Sequence, residues 1–105
     1  MVWLVLVLAG LFEVGMVMGL NLSDGFTRLW PSLMTLVFGG ASFLLLSVAM
    51  RSVPVGTAYA VWTGIGAVGA VVLGIVLFKE PAGLLRLGAI ALIVAGVVAL
   101  RFTEA

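Results

Sequence analysis

Four long apolar runs separated by short polar breaks organise this chain. A hydrocarbon core about 30 Å thick is crossed by roughly 20 apolar residues in a helix. The first run extends from about Val2 to Leu20 and ends in Asn21-Leu22-Ser23-Asp24-Gly25, a stretch of turn and capping residues. The second runs from about Trp30 to Met50, with Pro31 suited to a first helical turn. Arg51 to Pro54 form a short break before a third run from about Val55 to Phe78. Lys79-Glu80-Pro81 stop that helix, and about Leu84 to Leu100 form the fourth, followed by a polar tail from Arg101 to Ala105. The pattern predicts an all-α integral membrane protein, a single four-helix transmembrane domain over residues 1–105. The short connections predict antiparallel neighbours with both termini on one side.

Composition strengthens that reading. The chain has 105 residues, 65% of them hydrophobic and 9% charged, against about 45–50% and 25% in soluble domains. So small a chain has too little interior to hide that apolar surface from water, so the excess faces lipid. The first run has no basic leader and is interrupted by an acid, so it is expected to be a retained helix rather than a cleaved signal. Trp3 and Trp30 fall near the expected membrane edges, where amphipathic rings prefer to sit. A multi-pass protein of the cell inner membrane or plasma membrane follows.

Charge leaves orientation open. Arg51 and Arg101 lie on the face expected to hold both termini, and Arg28, Lys79 and Arg86 on the other. With so little bias, either the chain inserts both ways or a weak preference suffices. The net charge is +1, and its scattered cations make no nucleic-acid footprint. The absence of cysteine and histidine removes thiolate and imidazole ligands and the usual general base, so no metal, no cofactor and no enzyme activity are expected.

Glu13 is the one carboxylate inside the apolar runs. An acid at the centre of a membrane helix costs at least about 2.5–3.5 kcal/mol on insertion scales, which marks it as functional, the competing role being a structural acid bonded to a neighbouring helix. Desolvation penalises the charged form. Such a carboxyl can hold a proton, or release it and hold a cation; competition between the two is the minimum chemistry of proton–cation exchange. Ala9, Gly10, Met16 and Val17 share its helix face, the small residues leaving room for a ligand or a neighbouring helix. Gly15 and Gly19 lie elsewhere on the helix, Gly15 roughly 200° from Glu13, and read as a packing face.

The third helix places Tyr59, Trp62 and Gly66 on one stripe, with Trp62 inside the span rather than at its edge. An aromatic face beside a carboxylate attracts organic cations, though the same stripe also suits ordinary packing. Ser42 in the second helix is placed either to bond Glu13 or to bond back to its own helix. Gly64, Gly66 and Gly69 make the middle of the third helix either a hinge or a close-packing surface. In the fourth helix Gly88, Ala91, Ala95, Gly96 and Ala99 form an association face with no ionisable group between Arg86 and Arg101. Four such helices barely enclose a polar pathway, so an oligomer is expected. A non-transporting scaffold held by its glycine faces is the competing class.

Several segments now carry a resemblance: FEV around Glu13, GFTRLWPS, ASFLLLSVAM and PVGTAYAVWTGIGAVGAVVLGIVLFKEP. Over essentially the whole chain they resemble the small multidrug resistance transporters. The resemblance implies a dimer of two oppositely oriented subunits exchanging protons for small organic cations, with membrane lipid around it and no nucleic acid. It implies that Glu13 binds proton or substrate, that Gly10, Met16, Ser42, Tyr59, Trp62 and Thr63 line the pocket, and that Gly64 and Gly66 form a hinge. Gly88, Ala91, Ala95 and Gly96 are implied as the dimer contact. The WTGIGAVGA run and the FKEP ending resemble the guanidinium-exporter branch. A fork of N–H donors suits paired carboxylates. That branch typically has tryptophan at the position of Met16 and lysine at that of Asn21. The departures also resemble one subunit of the paired, heterodimeric members, and a methionine wall suits bulkier quaternary ammonium and other lipophilic cations. An antiparallel homodimer and a heterodimer with a homologous subunit therefore both stay open.

Overall fold

The computed structural model describes residues 2–103. Four α-helices follow in order: α1 Val2–Leu22, α2 Leu29–Ala49, α3 Val55–Phe78 and α4 Leu84–Thr103. Each is long and apolar enough to cross a membrane, since about 20 helical residues span the hydrocarbon core. Asn21 and Leu22 continue α1, and Arg101 to Thr103 form the last turn of α4 rather than a tail. Arg101 places its positive charge at a helix C-terminus, where the dipole favours it, and the Thr103 hydroxyl donates to the Leu100 carbonyl at 2.7 Å. Glu104 and Ala105 of the expected tail lie outside the described residues.

The connections are short and built by the sequence. Ser23 is fully buried in the first; its hydroxyl donates to the Leu20 carbonyl at 2.7 Å and accepts the Phe26 N–H at 3.1 Å. Asp24, Gly25 and Phe26 all take positive φ, which turns the chain sharply there. Pro31 is the third residue of α2, where a missing N–H costs nothing because the first four amides of a helix have no intrahelical acceptor. At the end of α3, Lys79 adopts a left-handed conformation, and the Glu80 N–H reaches back to the Gly74 carbonyl at 3.2 Å. The Glu80 carboxylate then takes a salt bridge from Arg86 of α4 at 2.6 Å.

Helix α1 packs against both α2 and α3, α2 and α3 meet only slightly, and α4 packs on α3 alone. The principal extents are 43 × 34 × 17 Å. The thickness of 17 Å is half or less of either other extent, so the subunit is flat, with α4 at its edge against α3. Its core, built on Leu6, Ala9, Leu46, Val53, Val61 and Trp62, sits in the half nearer the termini. No residue of α4 is buried. So flat a body has little interior in which to surround a polar pathway.

Candidate functional site

Helices α1, α2 and α3 converge on Glu13. The α1–α3 approach is a run of large-on-small contacts: Ile65 seats on Gly10, the Glu13 carboxylate on Gly66, and Val14 on Gly69. A Cβ at position 66 would collide with both carboxylate oxygens, so the absence of a side chain there is what lets the acid lie along α3. Glu13 Oε1 is buried and has no hydrogen-bond partner among the described residues. An unpaired polar atom in a low-dielectric setting is costly. The carboxyl is therefore poised for a proton or a cationic donor.

Beside it runs a polar chain through all three helices. The Trp62 Nε1–H donates to Ser42 Oγ at 2.8 Å, and the Ser42 hydroxyl donates to the Ala9 carbonyl at 2.6 Å. Both Ser42 and Trp62 are buried. In an α-helix the Ala9 carbonyl also faces the amide of Glu13, four residues on; Ser42 thus fastens α2 to the turn of α1 that carries the acid. This differs from both roles expected for Ser42. It bonds neither Glu13 nor its own helix, because its single proton is committed to a carbonyl of α1. Ser42→Ala strands the buried indole N–H and is expected to cost about 1–2 kcal/mol of stability, read by SDS titration of the purified protein.

Aromatic rings extend the site outward. Trp62 lies 5.8 Å from Tyr59 and 5.4 Å from Phe43, centroid to centroid, with tilted rings. Tyr59 and Thr63 are exposed on α3, within the membrane span, so the phenol and hydroxyl point out of the layer. Phe43 and the Ala9 carbonyl had no distinguishing signal in the sequence: one follows Ser42 in an apolar run, and the other is backbone. Met16 turns away from the carboxylate toward α2, its sulfur over Gly39.

The small residues divide by use. Gly15 and Gly19 receive Phe38 and Thr35 of α2, the packing face their spacing suggests. Gly64 faces Val97 and Ile93 of α4, while Gly66 faces Glu13; α3 is continuous through both. On α4, Ile90, Ile93 and Val97 turn toward the body of the subunit, and Gly88, Ala91, Ala95 and Gly96 are exposed. Gly88, Ala91 and Ala95 lie on the side opposite the α3 contact. Among the described residues no group of three or more acidic, histidine or cysteine side chains could hold a metal ion.

The layout is an unpaired intramembrane acid, an aromatic flank and an outward small-residue face, and it meets an independent match. The family model described as Small Multidrug Resistance protein matches residues 1–104. The chain belongs to the small multidrug resistance family. A guanidinium exporter of Yersinia pseudotuberculosis serotype I (strain IP32953) is 56% identical over 104 residues, 99% of this chain and 100% of that protein. A guanidinium exporter of Escherichia coli (strain K12) is 53% identical over 103 residues, 98% of each chain. One of Citrobacter freundii matches to the same extent, 53% over 103 residues and 98% of each. As a member of this family the protein is a multi-pass membrane transporter and not an enzyme. Transporters of the family work as membrane dimers, which agrees with a flat subunit whose α4 has no buried residue.

Proposed function

We propose that this protein exports guanidinium or substituted guanidinium ions in exchange for protons, as an antiparallel dimer working by alternating access. The observation that carries the reading is the buried, unpartnered Oε1 of Glu13, in a chain more than half identical to guanidinium exporters. A carboxyl without a hydrogen-bond partner accepts either a proton or an N–H-rich cation, and not both. Guanidinium is planar and presents forked donors, the geometry that carboxylates bind in pairs. In a dimer the second Glu13 supplies the other acceptor.

In this scheme cytoplasmic guanidinium displaces protons from the two Glu13 carboxyls, the dimer reopens outward, and external protons displace the cation. Trp62 and Ser42 hold the turn carrying Glu13, while Tyr59 and Thr63 present polar edges toward the partner subunit. Phe43 shapes an apolar limit of the pocket, while Gly10, which seats Ile65, and Met16, which lies over Gly39, are set back behind it. Gly64 and Gly66 are the points at which α3 can bend, and Gly88, Ala91, Ala95 and Gly96 form the dimer contact, where small residues permit close helix approach. The reading favours an identical partner: the cations are divided Arg51 and Arg101 against Arg28, Lys79 and Arg86, too even a split to fix one orientation.

The test is transport in proteoliposomes with an imposed pH gradient. Guanidinium is expected to accumulate against the proton flow, whereas a tetraalkylammonium ion moves little. Strong movement of the ammonium ion with none of guanidinium would remove the assignment.

A further inference from the structure

Helix α4 packs on α3 but not on α1, and the space left between α1 and α4 is a groove of about 260 Å³ floored by α3. Leu11 forms one wall, Val94 and Val98 the other, and Ile65 and Val68 the floor. No residue lining it carries a polar side chain. Leu11, Val94 and Val98 are 56%, 44% and 49% exposed in the subunit, so the groove opens sideways at hydrocarbon depth.

What the groove leads to is charged. Trp3, Val7 and Leu11 recur every four residues along one side of α1, and Val94, Val98 and Arg101 recur at three or four along α4. Followed toward the termini, both walls end at one contact: the Arg101 guanidinium lies over the Trp3 ring, 5.3 Å from its centroid. A stacked guanidinium keeps its edge N–H donors free for an anion, and phosphate is what that fork fits. The described ionisable side chains at this end of the subunit are Arg51 and Arg101, with no acid among them. Trp and Arg together mark the headgroup level of a membrane.

We propose that this groove binds an anionic phospholipid, one acyl chain lying between α1 and α4 and the phosphate held by Arg101. The alternative occupant, a helix of a second copy, fits the walls less well. Close helix contacts within membranes use small residues, whereas the α4 wall of the groove is made by branched Val94 and Val98, with Gly88, Ala91 and Ala95 centred about 70° further around the helix. Val94, Val97 and Val98 are branched and stiff, and they hold a channel that a flexible chain can fill. Left empty, the lining would lose its dispersion contacts on one side. The lipid would thereby pin α4 to α1, two helices whose backbones do not pack together among the described residues.

Photolabelling of the full-length protein in phosphatidylcholine vesicles tests this, using trace phosphatidylglycerol or phosphatidylcholine with a diazirine at mid-chain. Mass-spectrometric mapping is expected to find phosphatidylglycerol adducts concentrated on Leu11, Val94 and Val98, several times above those from phosphatidylcholine. Arg101→Gln should reduce that preference by about fivefold, the effect of one cation at a membrane surface. Val98→Trp should remove the groove adducts from both probes, with Leu36→Trp on the exposed side of α2 as a control that leaves them. Labelling spread evenly over Leu36, Val37 and Leu44, equal labelling by both headgroups, or no adduct in the groove would overturn the proposal. So would efficient crosslinking between copies carrying Leu11→Cys and Val98→Cys, which would place a second copy there instead.

Discussion

Glu13→Gln is expected to abolish guanidinium transport while leaving a folded dimer. Glutamine keeps the length and planarity of the side chain that lies on Gly66, so the α1–α3 contact survives. It cannot ionise, however, and each subunit loses its one intramembrane negative charge. Removing one partner of a desolvated ion pair costs about 3–5 kcal/mol, so guanidinium binding should weaken on the order of a hundredfold or more. Proton coupling disappears with it, because no other acid lies within the four helices. In proteoliposomes the variant should show background guanidinium flux that no longer responds to a pH gradient, with an unchanged elution volume in detergent. A scaffold or accessory role predicts the reverse: assembly and any associated activity unaffected. Undiminished, pH-driven guanidinium flux through the glutamine variant would rule out Glu13 as the coupling site.

Glu13 was legible in the sequence because an ionisable residue surrounded by apolar ones is expensive wherever the helix is placed. The four spans were legible for a similar reason: crossing a membrane requires only length and hydropathy, and both survive ignorance of packing. The Tyr59–Trp62 stripe followed from helical spacing. What spacing could not supply was direction beyond a single helix. Met16 stands three residues after Glu13, roughly 60° around α1, and that offset turns it to Gly39 of α2. Ser42 was noticed, but its acceptor is the Ala9 carbonyl, and backbone carbonyls leave no mark in a sequence. The Arg101–Trp3 contact joins residues nearly a whole chain apart. The glycines of α3 were ambiguous for a physical reason: bending and close approach both require the absence of a side chain. Only the neighbours distinguish them, α4 for Gly64 and the Glu13 carboxylate for Gly66.

That distinction makes Gly66→Ala the second large effect, and a decisive one between its two uses. Alanine propagates a helix better than glycine, so the substitution alone does not threaten α3. Its Cβ would enter the space now filled by the Glu13 carboxylate, and the acid must move away from α3. A displacement of about 1 Å at a reacting or binding group can cost on the order of a hundredfold, and guanidinium flux is expected to fall by that order. Shortening the acid should return the space. Glu13→Asp is expected to be impaired by itself, yet in the Gly66→Ala background it should lose less than the two single effects combined, or regain activity. A double-mutant cycle on initial flux, with dimer elution as the check on folding, measures this coupling. If Gly66 acts only by letting α3 bend, the alanine stiffens the helix whatever the length of the acid, and the two losses add. A positive coupling energy would instead mean that Gly66 positions the carboxylate, so that the geometry of the proton and cation site is set by a residue with no side chain.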